Sequence, residues 1–334
     1  MRKTKLFILA QFVLCVAATC QKPEHKIIKT FPVSGSGGWD YLAINKDRLY
    51  VSHSSQVNVL DKTTGDSLAV IDSTTGVHGI AFINELNKGF ISDGRANAVT
   101  VFNLETNARQ HNIPTGQNPD AIFYDSFSNR IYTCNGGSND ITVIDPVAET
   151  VVATITVGGK PETAVSDGAG KLFVNVEDKN EIVEVDLNMK KVTQRWSLNG
   201  AEGPTGLVLD RLNHRLFSSC EKTLVVMNSM NGKIVAKVPI GEGCDGDAFD
   251  DASKNIYTSN GEGTLTVIHQ ATPDKYTVVE TITTKKGART IALDSSTHQL
   301  YLPTSDFQKA TSSTERPKLV PGTFQVLVIG KVDQ

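Results

Sequence analysis

The sequence predicts an all-β chain, a seven-bladed β-propeller of four-stranded antiparallel blades closed by an N-terminal strand that completes the last blade. Three observations lead there. A short segment recurs along the chain, the same order of strands and turns follows each copy, and the last copy lacks a strand that is found spare at the other end.

The recurring segments are Trp39-Asp40-Tyr41-Leu42-Ala43-Ile44, Val77-His78-Gly79-Ile80-Ala81-Phe82, Pro119-Asp120-Ala121-Ile122-Phe123-Tyr124 and Pro161-Glu162-Thr163-Ala164-Val165. Pro204-Thr205-Gly206-Leu207-Val208, Cys244-Asp245-Gly246-Asp247-Ala248-Phe249 and Ala288-Arg289-Thr290-Ile291-Ala292-Leu293 complete the set. Counted from their second residues, the spacings are 38, 42, 42, 43, 40 and 44. A period near 40 residues is the mark of propeller blades.

Each segment opens the same sequence of elements. In the third copy a turn at 125–129 follows, then a strand from Arg130 to Cys134, a polar loop from Asn135 to Asn139, a strand Ile141-Thr142-Val143-Ile144-Asp145, and a last strand from Val151 to Val157. Short β-branched runs bounded by Gly, Asn, Asp and Pro are strand-and-turn signals, and four such strands make one blade. The last copy reaches only its third strand, 323–329, while 26–33 carries the fourth-strand pattern. Closing the ring with that segment removes an open sheet edge, which would otherwise template aggregation.

The runs Ile131-Tyr132-Thr133-Cys134-Asn135, Leu172-Phe173-Val174-Asn175, Leu49-Tyr50-Val51-Ser52 and Ile256-Tyr257-Thr258-Ser259-Asn260 resemble the YVTN repeat. Over residues 26–331 the chain is similar to the YVTN-repeat (YncE-like) β-propellers of exported bacterial proteins. The resemblance implies the fold and brings no catalytic motif with it.

The N-terminus reads as an export signal. Arg2, Lys3 and Lys5 precede a 13-residue apolar run, Leu6 to Ala18, interrupted only by Gln11. Such a run is too short to span a bilayer and suits a signal peptide. Two exits compete: cleavage after Ala18, or a lipobox in which Cys20, preceded by an unusual Thr19, is lipidated. The organisation expected is a signal peptide at 1–19, a short tether at 20–25 and one domain at 26–331, placed in the periplasm or at the cell surface. Losing the three leader cations takes the formal charge from −3 to −6, which disfavours nucleic acid as a partner. Membrane contact is expected only through a lipid anchor, and the chain reads as a monomer. Cys134, Cys220 and Cys244 have no C-x-x-C spacing, so a zinc site is not indicated; buried free thiols are expected, with a Cys220–Cys244 disulfide as the alternative in an oxidising compartment.

Blade register also predicts a site. The second residues of the seven segments, Asp40, His78, Asp120, Glu162, Thr205, Asp245 and Arg289, are expected around one channel mouth. Exits from the second strands are expected on the same face: His53, Asp93, Arg95, Asn135, Glu177, Asn260 and Asp306. Two carboxylates about 6 Å apart repel by roughly 3 kcal/mol at an effective dielectric near 20, about 2 pK units. Such neighbours share a proton, recruit a cation such as Arg289, or hold a divalent ion. The plainer alternative is that they cap strand starts and face water. Trp39 either stacks on a ligand or wedges two blades together. The long segment 304–321 in the last blade is expected on the same face, as a lid or as an insertion.

Two functions remain open from sequence. One is a non-catalytic propeller binding a small molecule or protein at an acidic funnel. The other is a metal-assisted hydrolase of the lactonase type, with a funnel cation as Lewis acid and a carboxylate as base. No G-x-S-x-G, H-E-x-x-H or C-x-x-C-H motif occurs.

Overall fold

The computed structural model describes residues 24–309 and 317–331, so the export segment with Cys15 and Cys20, and the tip of the long loop, lie outside the described residues. Seven four-stranded antiparallel sheets form the ring. Blades one to six occupy 39–71, 77–114, 119–156, 161–197, 207–239 and 244–283. Blade seven takes its first three strands from Ala292–Asp294, Gln299–Thr304 and Gln325–Lys331 and its fourth from His25–Pro32. The closing strand runs antiparallel to Gln325–Lys331, with His25 opposite Lys331 and Pro32 opposite Gln325.

Burial explains why the middle strands read as unbroken apolar runs. The second and third strands of a blade are covered on both faces by neighbouring blades, so Ile131, Tyr132, Thr133 and Cys134 are all buried. A half-covered strand would alternate instead. The outer strands are the exposed ones, as in Thr150–Thr156. The turn between third and fourth strands recurs because its first residue is an acceptor. Asp145 Oδ1 accepts from the backbone N–H groups of Val147 at 2.9 Å and Ala148 at 3.0 Å, and Asp61, Asn103 and Asp186 do the same in their blades. Cys134, Cys220 and Cys244 are buried free thiols. Among the described residues no helix is long and apolar enough to cross a membrane.

Candidate functional site

The funnel residues owe their orientation to a repeated bulge. In blade three Pro119 pairs with Asn135 and Ile122 with Thr133, so Asp120 and Ala121 together oppose Cys134. Asp40 with Tyr41, His78 with Gly79, and Glu162 with Thr163 sit in the same irregularity of blades one, two and four. Blade six shifts register at Asp245. A bulge inserts a residue outside the ladder and re-aims its side chain; here it re-aims one polar side chain in each of blades one, two, three, four and six.

Hydroxyls of one blade then clamp the backbone of the next. Ser92 Oγ donates to the Asp120 carbonyl, Thr163 Oγ1 to that of Thr205, and Ser259 Oγ to that of Arg289. Thr205 Oγ1 reaches the Cys244 carbonyl at 2.9 Å, and Thr290 Oγ1 closes the ring on the Asp40 carbonyl at 2.7 Å. The site is therefore held by blade-to-blade contacts before any ligand arrives.

Three groups of charge result. The first joins blades one, two and three: His78 Nδ1 lies 2.5 Å from Asp40 Oδ2 and 3.7 Å from Asp120 Oδ1. Gly94 makes room for this ring, since a Cβ there would meet His78 Nε2 at 2.6 Å. In the second, Lys160 Nζ pairs with Glu162 Oε2 at 3.0 Å and also with Glu177. In the third, Arg289 Nε lies 3.2 Å from Asp245 Oδ2.

Burial sets the protonation of these groups. Asp120 is 8% exposed; burial pushes its carboxyl well above the usual range, the charge of Asp40 adds to this, and His78 opposes it. Burial also raises Glu162, against the pull of Lys160, and raises Asp245 to about 7 against Arg289. Burial alone would lower the His78 imidazole, but the hydrogen bond to Asp40 and the charges of Asp120, Asp40 and Glu162 outweigh it and raise it to about 9.

Tyr41 and Lys160 belong to the site although residue pattern did not single them out. Tyr41 leaves blade one and packs on the core shared by blades three and four, which contains Ala121, Cys134 and Val174. Burial raises its phenol well above the ordinary value, and so do the charges of Asp120, Glu162, Asp40 and Asp245. Those four acids belong to four blades, so the tyrosine lies where they converge. Its place, one residue beyond Asp40 in the bulge, was the available signal. Lys160 lies just before the aligned Pro161, where blades two and six carry Gly76 and Gly243.

Several second-strand exits are corrected by the structure. His53, Asp93, Asn135 and Asn260 share one register position, and all are fully buried within their blades rather than at the channel mouth. Asn135 Nδ2 donates to Asp140 Oδ1 at 2.7 Å and Thr142 Oγ1 at 2.8 Å, and Asn260 Nδ2 donates to Thr264 and Thr266 at 3.0 Å. Asp93 is bound by Thr100 Oγ1. The His53 ring packs 4.1 Å from that of Phe324, and burial lowers its pKa. Asp93, Asn135 and Asn260 thus tie second strands to third strands, while His53 packs against Phe324. Glu177 reaches the funnel because it lies one residue past that position, in the short turn Glu177–Lys179. Arg95, in the turn Gly94–Ala96, is exposed and packs over Gly76. Thr205 spends its hydroxyl on the blade-to-blade clamp.

Trp39 acts as a wedge, stacked on Phe324 with ring centres 5.5 Å apart. It also meets Phe307 of the long segment at 6.2 Å. The described legs of that segment pair with each other, Gln308 N donating to the Lys318 carbonyl at 2.7 Å and Val320 N to that of Asp306 at 2.8 Å. Asp306 itself pairs with Lys285 at 2.7 Å. With Arg289, Lys286 and Trp39, Phe307 and Leu319 line a groove at the funnel rim, so the legs lie on the funnel face.

The chain is a β-propeller, and solved propellers resemble it in shape. The Kuenenia stuttgartiensis hydrazine synthase matches with a TM-score of 0.69 at 15% identity, over 79% of this chain and 91% of that one. The WD40 repeats of RRP9 match with a TM-score of 0.75 at 9% identity, over 90% and 97%. At such identities the likeness is one of fold. No family model matches the chain, and no curated protein does.

Proposed function

We propose that this is an exported binding propeller of the YVTN-repeat (YncE-like) kind, which holds a ligand at the acidic funnel. The observation that carries this reading is the convergence of Asp40, His78, Asp120, Glu162 and Asp245 on bulges with a clamped backbone. A ring of carboxylates, with Asp120 buried and Asp40, Glu162 and Asp245 half-buried, favours a ligand that brings positive charge or several hydrogen-bond donors, because such a ligand offsets their desolvation beyond what Lys160 and Arg289 supply. A thermal-shift screen of small cationic and polyhydroxylated compounds tests this. Compounds that stabilise the wild-type protein are expected to bind Asp120→Asn/Glu162→Gln roughly 10²- to 10⁴-fold more weakly, each of the two lost charge-assisted hydrogen bonds being worth about 1.5–3 kcal/mol. Unchanged affinity in a folded double variant refutes the site.

The export half of the proposal rests on the leader sequence. If Cys20 carries acyl chains, the wild-type protein partitions into the detergent phase and Cys20→Ala moves to the soluble periplasmic fraction. A wild-type protein already soluble in the periplasm assigns cleavage to the site after Ala18.

A further inference from the structure

We infer that Asp40, His78 and Asp120 form a binding site for one divalent metal ion of borderline character, such as Zn²⁺ or Mn²⁺, at the mouth of the channel. The inference rests on the funnel reading and gives its chemistry. One carboxylate oxygen of each aspartate and one imidazole nitrogen lie within 4.8 Å of one another, each delivered by the bulge of a different blade.

The independent observation is Asp120. The residue is more than nine-tenths buried, and its Oδ1, directed at the same space as His78 Nδ1, has no hydrogen-bond partner. A buried carboxylate oxygen left unsatisfied is costly. Elsewhere in the funnel the corresponding oxygens have fixed cations: Lys160 serves Glu162 and Glu177, and Arg289 serves Asp245. No lysine or arginine is placed against Asp40 or Asp120 among the described ion pairs, which leaves His78 as their shared partner.

The donor set indicates the class of ion. Two carboxylates alone suit Mg²⁺ or Ca²⁺, whereas an imidazole among the donors favours first-row transition ions and Zn²⁺. Metal–ligand bonds of about 2.0–2.2 Å place neighbouring donors about 3.0–3.5 Å apart. The present separations, 2.5 Å from Asp40 to His78 and 3.7 Å from His78 to Asp120, bracket that span, so side-chain adjustment suffices. Three protein ligands on the wall of a channel leave positions open to water or to a ligand entering the funnel.

Calorimetric titration of chelator-treated full-length protein with Zn²⁺ tests the site, with Co²⁺ as a visible-absorption probe of the donor set. The expected result is one equivalent bound, at least 10-fold weaker in Asp120→Asn and in His78→Gln, each with a Co²⁺ spectrum changed from wild type. Thermal melts establish that both variants remain folded. Glu280→Gln, which alters a carboxylate at the outer edge of blade six, is expected to bind like wild type. Absence of saturable binding, or binding equal in wild type, Asp120→Asn and His78→Gln, overturns the inference. Should Zn²⁺ fail to bind while screened compounds still depend on Asp120 and Glu162, the metal site falls and the funnel reading stands.

Discussion

Deleting residues 26–33 is expected to abolish the cooperative melt and drive the protein into aggregates. The deletion removes the strand that pairs with Gln325–Lys331 and leaves that strand as an open edge. It also removes Phe31 and Val33 from the core at the junction of blades seven and one, where they pack with Leu42, Leu49, Tyr301, Phe324 and Val326. Burial of these two side chains alone is worth about 3–6 kcal/mol, a large share of a typical folding free energy. The strand further latches both neighbouring blades. Lys29 Nζ donates to the Thr63 carbonyl of blade one at 2.8 Å, and His25 Nδ1 lies 2.8 Å from Glu280 of blade six. Phe31→Ala is the graded version, expected to cost about 3–5 kcal/mol. Size-exclusion chromatography and a thermal melt check both. A deletion variant that stays monomeric and melts like wild type would show that the closing strand is dispensable.

Asp93→Asn is expected to stabilise the protein, and to do so more at pH 8 than at pH 5. Burial pushes the Asp93 carboxyl up to about 7, against the hydrogen bond from Thr100 and the positive charges of Arg109 and His78. The unfolded chain loses this proton near its ordinary value of 3.8. Between those values the folded state binds more protons than the unfolded one, so stability falls as pH rises from about 4 to about 7 and is level above. Asparagine removes that fall. The repeat supports the choice, because blades three and six carry Asn135 and Asn260 at the same position, each donating to the threonine that corresponds to Thr100. Thr100 Oγ1 now faces two acceptors, Asp93 Oδ2 and Asn112 Oδ1, with one hydrogen. An amide at position 93 supplies the missing donor. The gain is expected to grow by about 2 kcal/mol between pH 5 and pH 8, several degrees in Tm. Parallel melting curves of wild type and variant across that range would refute the assignment.

Blade number, strand order and the N-terminal closure were legible in the sequence because they rest on local signals that repeat. Seven copies of one pattern average away the ambiguity of any single strand, and a turn acceptor such as Asp145 or Asn103 marks the same corner each time. The first-strand residues of the site were legible for the same reason: equivalent positions in a ring lie at equivalent radius. Among the second-strand exits Glu177 does reach the funnel, but four others do not. His53, Asp93, Asn135 and Asn260 are as polar as Asp40 or Glu162, and composition does not separate a side chain that ties two strands inside a blade from one that faces the channel.

That separation depends on strand phase. Side chains alternate from one face to the other along a strand, so a one-residue difference reverses direction. Glu177 faces Lys160 and Glu162, while the ladder position beside it holds the buried Val176. The sequence by itself determined the ring and its sevenfold register. Only the tertiary structure decided which polar groups meet, because Asp40, His78 and Asp120 come from separate blades, and Tyr41 reaches the core of blades three and four only once the ring has closed.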